Sequence, residues 1–391
     1  MTERLYYEDP ALAQFEARVT HVDIVDGRQN VRLDRTAFYP TSGGQPFDTG
    51  TLGGARVIDV VDDEDGDVRH VVEGTLTEGA SVEGRVDWTR RFDHMQQHTG
   101  QHVLSAAFET LLHARTESFH LGADGATIDL AREVTPQEIA RAEEDANRIV
   151  WEDRPVTIRF VDATEAAALP LRKPPAREGT LRLIDVEGYD LSGCGGTHVA
   201  RTGAIGIIAV AGWERFKGGM RVGFVCGGRA LRAHRRLRDV VTDGARLLSV
   251  MQDEIPAGIE RLQVEAKEER RQVKDLQLKL AGHEGAALAA SAIDGVVVAA
   301  LDGWDQNGLK GIATAIAARP GLVAALLGGP PPFAVVLARS ADRTTDCGAV
   351  LKQLTATFGG KGGGRPELAQ GGGLQGDPKA IADHLRVLLR G

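Results

Sequence analysis

Cysteine, methionine, tryptophan and tyrosine are scarce in this chain of 391 residues, which has three cysteines and four residues of each of the other types. The odd number and the spacing of the cysteines suggest no disulfide framework, so we expect free thiols and a cytoplasmic protein. The sequence has no run near the roughly 18 apolar residues of a spanning helix. Its first residues, MTERLYYEDP, lack the apolar core of a signal peptide. No membrane partner is expected.

The chain also lacks an excess of positive charge. Its net charge of -9 argues mildly against nucleic-acid binding, because phosphates are contacted by lysine and arginine. Basic residues nevertheless cluster from Arg215 to Arg238, whereas the run DDEDGD at residues 62–67 is acidic. Local charge rather than the total decides where a polyanion docks, so a nucleic-acid partner stays open.

Length and composition predict a globular protein of several domains, with an α+β fold class overall. Hydrophobic residues make up 42% and charged residues 26% of the chain, both ordinary values for a folded protein. Short alternating segments and Gly-rich turns predict an N-terminal β-barrel. We predict four domains: a β-barrel-like entry domain at 1–90, an α+β zinc-binding domain at 91–228, a helical hairpin or coiled coil at 229–283, and an α/β domain with a glycine loop at 284–391.

Two helices and several strands are predicted in the second domain. Apolar residues recur at helical spacing over 91–112, and a second helix is expected over 136–151, where Thr135 is a suitable N-cap and Pro136 a suitable first residue. Strand-like runs at 156–160 and 181–187 flank a Pro-rich connection.

The last two domains are read from periodicity. Apolar residues from Leu237 to Leu280 step mostly by three and four, which is typical of a coiled coil or helical hairpin. We expect a turn or kink at Pro256 and Gly258, and two antiparallel helices. Beyond them, strand-like and helix-like runs alternate as in an α/β domain, which closes with the glycine loop GGKGGGRPELAQGGG.

Two pairs of metal-ligand residues carry the clearest chemical signal. His98 and His102 lie four positions apart on a predicted helix, so both imidazoles leave one face. Cys194 and His198 repeat that spacing on a glycine turn. Together they form a four-ligand N/S set suited to Zn²⁺. His94 lies one turn before His98 and is interpreted as a surface histidine, with a fifth metal contact or a support for a ligand as the alternatives.

The motifs HTGQH, CGGTH, TAFYPTSGGQ and RFKGGMRV resemble the editing domain of alanyl-tRNA synthetases and of the free-standing AlaX-type editing proteins. The glycine loop at 359–373 resembles the C-terminal domain of those synthetases. The similarity spans nearly the whole chain in the same order. Only residues 1–90 precede the HTGQH helix, so we expect no aminoacylation domain before it.

The resemblance implies a hydrolase that removes serine, and perhaps glycine, from the tRNA for alanine. It implies that the Thr36 hydroxyl bonds the hydroxyl of a misattached serine. Gly43 and Gly44 would allow close backbone approach to a ligand, and Gln45 would orient a water or the ester. The zinc role stays open between water activation and substrate positioning.

Five basic residues are candidate tRNA contacts by the same resemblance: Arg215, Lys217, Arg221, Lys361 and Arg365. A solvated basic face is the alternative for each of the first three. For the glycine loop, the alternatives to a phosphate cradle are a tight packing turn and a flexible linker.

Two other functions are weaker. A DHH-type phosphoesterase would need Asp-rich metal motifs that the sequence lacks, and a silent tRNA-binding module would not need the four ligands. The helical segment or the domain after it is expected to form a homodimer, unless the same apolar pattern closes within one chain.

Overall fold

The computed structural model describes residues 1–64, 66–173 and 179–390. Asp65 of the acidic run and residues 174–178 of the Pro-rich connection lie outside the described residues. The chain divides into two compact units, Met1–Asp243 and Gly244–Gly391. Among the described helices, none is both long and apolar enough to cross a membrane.

The first unit begins with the predicted β-barrel. Six strands close it in the order β2-β3-β7-β6-β5-β8, and β8 shows why, because its residues alternate strictly between exposed and buried positions. A short helical turn, Leu5–Tyr7, joins the first two strands. The strands are β1 (Glu3–Arg4), β2 (Gln14–Val25), β3 (Arg28–Leu33), β4 (Arg35–Thr36), β5 (Gly50–Leu52), β6 (Ala55–Asp62), β7 (Val68–Glu73) and β8 (Ser81–Val86).

The rest of the first unit packs sheets against a central helix, α1. One antiparallel sheet has the order β14-β15-β10-β9 and a second has the order β11-β12-β13. A 3-10 turn at Thr202–Ile205 precedes β14. The elements are α1 (Trp88–Leu112), β9 (Thr116–Leu121), β10 (Ala126–Leu130), α2 (Pro136–Trp151), β11 (Val156–Val161), α3 (Ala163–Ala168), β12 (Leu181–Val186), β13 (Asp190–Gly193), β14 (Ile208–Phe216) and β15 (Gly219–Cys226).

Helix α1 is buried along most of its length, although many of its side chains are polar. Asp87 caps its N-terminus by accepting the Arg90 amide, 3.2 Å away. Gln97 donates to the Cys226 carbonyl and accepts from the Cys226 amide, at 3.1 and 2.8 Å. Gln96 donates to the Ala204 carbonyl at 2.9 Å. Because these buried amides are hydrogen-bonded, the helix can cross the core without a large desolvation cost.

Helix α2 begins and ends where the sequence predicts. Thr135 accepts the Glu138 amide at 3.2 Å, and the Glu138 carboxylate accepts the Thr135 amide at 2.7 Å. This reciprocal capping box, with Pro136 as the first helical residue, fixes the start of the helix.

The segment predicted as a helical hairpin contains α4 (Gly227–Leu248) and α5 (Ile255–Ala290). The break lies before the expected position: Ser249 has a positive φ of 54° and a 3-10 turn spans Gln252–Glu254. Pro256 lies in the first turn of α5, where its missing N–H costs nothing. The apolar side chains of these helices are largely exposed, among them Leu237, Leu247, Ile259, Leu262, Val273, Leu276 and Leu280.

The second unit continues from α5 into a five-stranded sheet of order β16-β17-β18-β20-β19. Strands and helices alternate in part, as β16-α6-β17 and β18-α7-β19, but among the described strands of this sheet only β16 and β17 pair in parallel, so the sheet is mixed and mostly antiparallel. The elements are β16 (Val296–Leu301), α6 (Gln306–Ala317), β17 (Val323–Gly328), β18 (Phe333–Arg339), α7 (Cys347–Phe358), β19 (Lys361–Arg365), β20 (Leu368–Leu374) and α8 (Pro378–Arg390).

The predicted glycine loop is a β-hairpin, formed by β19 and β20. A Cβ on Gly362 would lie 2.6 Å from the Gly371 Cα, so the two strands approach too closely for side chains there. Of the three interpretations of this segment, the hairpin matches tight packing best, and it shows neither a loop nor a flexible linker.

A histidine is buried inside the barrel. His70, on β7, is fully buried, and burial lowers its pKa to about 4. Its Nδ1 lies 3.1 Å from the Val31 carbonyl, which can only accept, so Nδ1 carries the proton. Its Nε2 therefore accepts from the Thr36 hydroxyl, 2.8 Å away.

We predict that His70 makes the barrel acid-sensitive. An unfolded histidine binds a proton near pH 6.5, whereas folded His70 binds one only near pH 4. The unfolded chain thus binds more protons than the folded protein between these values. The free energy of unfolding therefore falls as pH drops from 6.5 to 4, by about 3 kcal/mol in all. Denaturant unfolding of His70→Gln should show a smaller loss over this range. His21→Gln, at a half-exposed residue of β2, is the control, and equal losses in all three proteins would contradict the prediction.

Candidate metal centre

Two parts of the first unit bring four ligand side chains together. His98 and His102 come from adjacent turns of α1, and Cys194 and His198 come from the loop after β13. Their ligand atoms all lie within 4.8 Å of one another. The Cys194 Sγ lies 3.4 Å from the Nε2 atoms of both His98 and His198. A tetrahedral zinc with bonds of about 2.0 to 2.3 Å separates its ligands by roughly 3.3 to 3.8 Å, so both sulfur–nitrogen distances fit.

Each imidazole is oriented through its Nδ1 atom. His98 Nδ1 lies 2.8 Å from the Gln45 side-chain carbonyl. His198 Nδ1 lies 3.2 Å from the hydroxyl of Thr99, which itself donates to the Met95 carbonyl at 2.9 Å and so accepts from His198. With Nδ1 bound to an acceptor, Nε2 is left free to bind a metal, as is usual for histidine ligands.

His102 is oriented by a carboxylate. Its Nδ1 lies 3.0 Å from Asp190 Oδ2, and the Arg172 Nε donates to Asp190 Oδ1 at 2.6 Å. Burial alone would raise the pKa of Asp190, but these two partners lower it to about 2, so it stays a carboxylate at neutral pH. Although burial opposes the change, the bond to Asp190 raises the pKa of His102 to about 8.

The loop of Cys194 is held by an arginine and permitted by a glycine. Arg182, on β12, donates to the carbonyls of Cys194 and Gly196 at 2.6 and 3.0 Å. A Cβ at Gly196 would overlap the His98 ring, so only glycine lets the loop pass there. Burial would raise the pKa of the Cys194 thiol, but the imidazoles of His98 and His198 hold it well below its usual value. A thiolate beside three imidazoles is the donor set that Zn²⁺ prefers.

Of the other predicted site residues, Gln45 lies at this cluster and Thr36 bonds elsewhere. Gln45 also donates to the Thr197 hydroxyl at 2.8 Å and accepts from the Thr197 amide at 3.1 Å. Thr36 is fully buried; its hydroxyl donates to His70 and accepts from the Phe38 amide at 3.1 Å. Within the described residues, it makes no hydrogen bond to the cluster.

Gly43 and Gly44 form the turn that leads into Gln45, with positive φ values of 54° and 82°. Gly44 lies against Phe119, where a Cβ would come within 2.8 Å of the ring. The Phe119 ring in turn lies 5.6 Å from the His98 ring, centre to centre. The turn is therefore fixed beside the cluster by close packing.

Two of the five basic candidates, Arg215 and Arg221, form ion pairs. Arg221 forms two hydrogen bonds to Asp129, at 2.7 and 3.0 Å, and lies over the Phe216 ring. Arg215 forms an exposed ion pair with Glu133 at 3.1 Å, and exposed pairs exchange partners at little cost. Lys217, in the turn between β14 and β15, lies over the same Phe216 ring. Lys361 and Arg365 are exposed at the two ends of β19, in the second unit.

The interpretation of His94 as a surface residue is wrong. It is only 3% exposed, and it is not part of the four-residue cluster. His94 begins the stretch of α1, residues 94–108, in which every residue is buried. The sequence analysis also missed Asp190, Thr99 and Arg182. Thr99 was the easiest to find, since it lies inside the HTGQH motif; Asp190 and Arg182 are ordinary strand residues until the sheet register is known.

We predict that Asp190→Asn lowers zinc affinity by about 10- to 100-fold, because the amide keeps the shape but loses the charge that orients His102. Competition against a chelating dye measures the affinity. Asp185→Asn, on the neighbouring strand β12 and paired with Arg159 at 3.5 Å, is the matched control. An unchanged affinity in Asp190→Asn would show that His102 needs no such support.

Three family models match the chain. The second additional domain of threonyl and alanyl tRNA synthetases matches residues 181–222, class II (A) tRNA synthetases match residues 2–90, and the DHHA1 domain matches residues 294–390. The first of these matches contains Cys194 and His198. A solved structure, the C-Ala domain from Aquifex aeolicus alanyl-tRNA synthetase, covers 25% of this chain and 91% of its own at 22% identity, with a TM-score of 0.23.

Curated relatives cover nearly the whole chain. The alanine-tRNA ligase of Methanoregula boonei is 34% identical over 97% of this chain, which spans only 42% of that ligase. The alanyl-tRNA editing protein AlaX-L of Pyrococcus horikoshii is 32% identical over 98% of this chain and 97% of its own length. Since that similarity runs through both proteins almost from end to end, the chain belongs to the AlaX-L family of alanyl-tRNA editing proteins.

Proposed function

We propose that this protein hydrolyses the ester that joins a noncognate amino acid, serine or glycine, to the tRNA for alanine. The observation that carries the proposal is the buried cluster of His98, His102, Cys194 and His198, in a chain aligned end to end with an alanyl-tRNA editing protein. A second function is not needed to explain any feature of this cluster.

The four ligands fit a Zn²⁺ ion through their donor set and through the bonds that orient them. Such an ion supplies Lewis-acid chemistry, either by activating a water molecule or by holding the substrate's amino group and ribose. Four protein ligands are usual for structural zinc, whereas catalytic zinc keeps an open position. Four protein ligands and a catalytic role would be compatible if a bound ion could accept a fifth ligand.

The protein's own residues hold this site rigid before substrate arrives. Gln45 uses its side-chain carbonyl for His98 and the Thr197 amide, and one of its N–H groups for the Thr197 hydroxyl. One N–H of Gln45 is left for a ligand. We therefore assign Gln45 a positioning role toward His98, with at most one hydrogen bond to water or ester. A site ordered in advance loses less entropy when the transition state forms.

We predict that the purified protein deacylates seryl-tRNA for alanine and that a chelator abolishes the activity. Cys194→Ala should lose activity and zinc together, because the thiolate is the softest ligand. Cys226→Ala is the matched control, since Cys226 is also a free cysteine of the first unit but lies outside the cluster. Alanyl-tRNA should be spared. Hydrolysis that survives complete metal removal would refute the metal-dependent mechanism.

The role of Thr36 can be tested with two variants. The Thr36 hydroxyl already donates to His70, so it has only a lone pair left for a serine hydroxyl. Thr36→Val removes the hydroxyl and leaves the His70 Nε2 and the Phe38 amide without this hydrogen-bond partner. We predict a fall in seryl- relative to glycyl-tRNA hydrolysis, and about 1–3 kcal/mol lost from the free energy of unfolding. Thr36→Ser should retain both, and an unchanged hydrolysis ratio in Thr36→Val would remove Thr36 from discrimination.

We also propose a homodimer formed through the helical segment at 229–283 or the domain after it, and a cytoplasmic location. Exposed leucines along α5, at Leu262, Leu276 and Leu280, support an interface. Light scattering that finds only monomers would contradict the dimer. The three free cysteines are compatible with a reducing compartment.

A further inference from the structure

A cavity of about 320 Å³ lies in the first unit, beside the metal cluster but outside it. Its lining is rich in charged side chains and contains the buried histidine that the metal cluster does not use. The residues that matter below are Pro46, Arg90, Asp93, His94, Arg229 and Arg232.

Three segments of the chain border both the cavity and the cluster. Pro46 lines the cavity and directly follows Gln45, which bonds His98. His94 lines the cavity and precedes His98 by one turn on the same face of α1. Ala123 lines the cavity just after β9, the strand that carries Phe119 next to His98. The cavity and the cluster are therefore neighbours along three segments of the chain.

The acidic groups of the cavity already have partners. Asp93 accepts three hydrogen bonds from Arg229, at 3.1, 2.9 and 2.7 Å, and Arg229 is 3% exposed. Asp87 keeps its charge as the N-cap of α1. The three arginines of the lining outnumber its two carboxylates, so an anion meets a net positive charge.

Donors remain beyond those that the acids consume. Arg232 is two-thirds exposed, and its single ion pair, with Asp93, is long at 3.6 Å. Arg90 uses its Nε on the Phe47 carbonyl at 2.9 Å, and within the described chain its two terminal nitrogens have no hydrogen-bond partner. His94 is 3% exposed, yet its Nδ1 atom finds no partner among the described residues. A buried polar atom left in this state costs free energy unless a ligand satisfies it.

We propose that this cavity binds a backbone phosphodiester of the single-stranded 3′ end of the tRNA, next to the ester at the metal cluster. Guanidinium groups bind phosphate oxygens in forked pairs, and Arg90 and Arg232 offer two such groups on neighbouring helices. His94, which also lines the cavity, adds a neutral imidazole donor. The inference rests on the proposed function, since it takes tRNA as the substrate.

The test uses calorimetry to measure how tightly the full chain binds the trinucleotide CpCpA. This probe has phosphodiesters but no aminoacyl ester to hydrolyse. Arg232→Gln should bind it on the order of tenfold more weakly, with the slope of log affinity against log salt reduced by about 0.7. Arg238→Gln, on another face of the same helix α4, should behave as wild type. Equal affinities for the two variants, or no binding by the wild type, would overturn the proposal.

A second variant removes the buried donor. His94→Phe should also weaken CpCpA binding, while its melting temperature should not fall by more than a few degrees, because no hydrogen bond among the described residues involves the His94 Nδ1. Thermal unfolding separates this result from misfolding. A well-folded His94→Phe that binds CpCpA like wild type would exclude His94 from the phosphate site.

Two further probes identify the source of the phosphate. Adenosine, which has none, should bind equally to wild type and Arg232→Gln. Inorganic phosphate that displaces CpCpA at equal concentration would indicate a free-anion site and overturn the assignment to the strand. If Arg232 governs CpCpA binding in a chain that hydrolyses no seryl-tRNA, the phosphate site stands and the proposed hydrolysis fails. If instead the chain hydrolyses seryl-tRNA but Arg232→Gln binds CpCpA like wild type, only the phosphate site is refuted.

Discussion

A buried ion pair between Arg91 and Asp48 is the interaction on which the first unit depends. Both side chains are fully buried, and the Arg91 Nε donates to Asp48 at 2.9 Å. Arg91 also donates to the Pro10 carbonyl at 2.8 Å, and Asp48 accepts the Tyr39 amide at 2.7 Å. The pair therefore joins α1 to the segment that carries Gln45. Loss of either partner would strand a buried charge, at about 3 to 5 kcal/mol, and would release the residue that orients His98.

The pair between Arg91 and Asp48 supports the metal cluster through Gln45, and two other contacts order the rest of it. Gln45 reaches His98 from the barrel side, Asp190 reaches His102 from β13, and Thr99 reaches His198 from α1 itself. Three separate elements thus fix the orientations of the three rings. A bound ion would in turn link α1 to the loop after β13, which means that metal affinity and stability of this unit are coupled.

Local chemistry explains what the sequence could predict. The barrel strands follow from alternation, helix α2 from Thr135 as N-cap and Pro136 as first residue, and the metal pairs from spacing on a helix and a glycine turn. What it could not predict depends on long-range pairing. The bond between Thr36 and His70 exists only because the fold brings β4, which pairs with β1, against β7 of the barrel, and His94 is buried only because the sheets cover α1. The glycine hairpin was mistaken for a loop because glycine favours turns unless another strand lies against it.

The charge available to a ligand also could not be predicted from the sequence, because it depends on partners that are distant along the chain. The sequence between Arg215 and Arg238 contains eight basic residues, but acids from distant positions neutralise several of them: Glu133 pairs with Arg215, Asp129 with Arg221 and Asp93 with Arg229. A count along the chain therefore overstates the charge that a tRNA would meet. In a protein of net charge -9, attraction must come from the few cations left exposed. Such a protein should depend on position rather than total charge to find its substrate, so its affinity should be unusually sensitive to the loss of a single well-placed arginine.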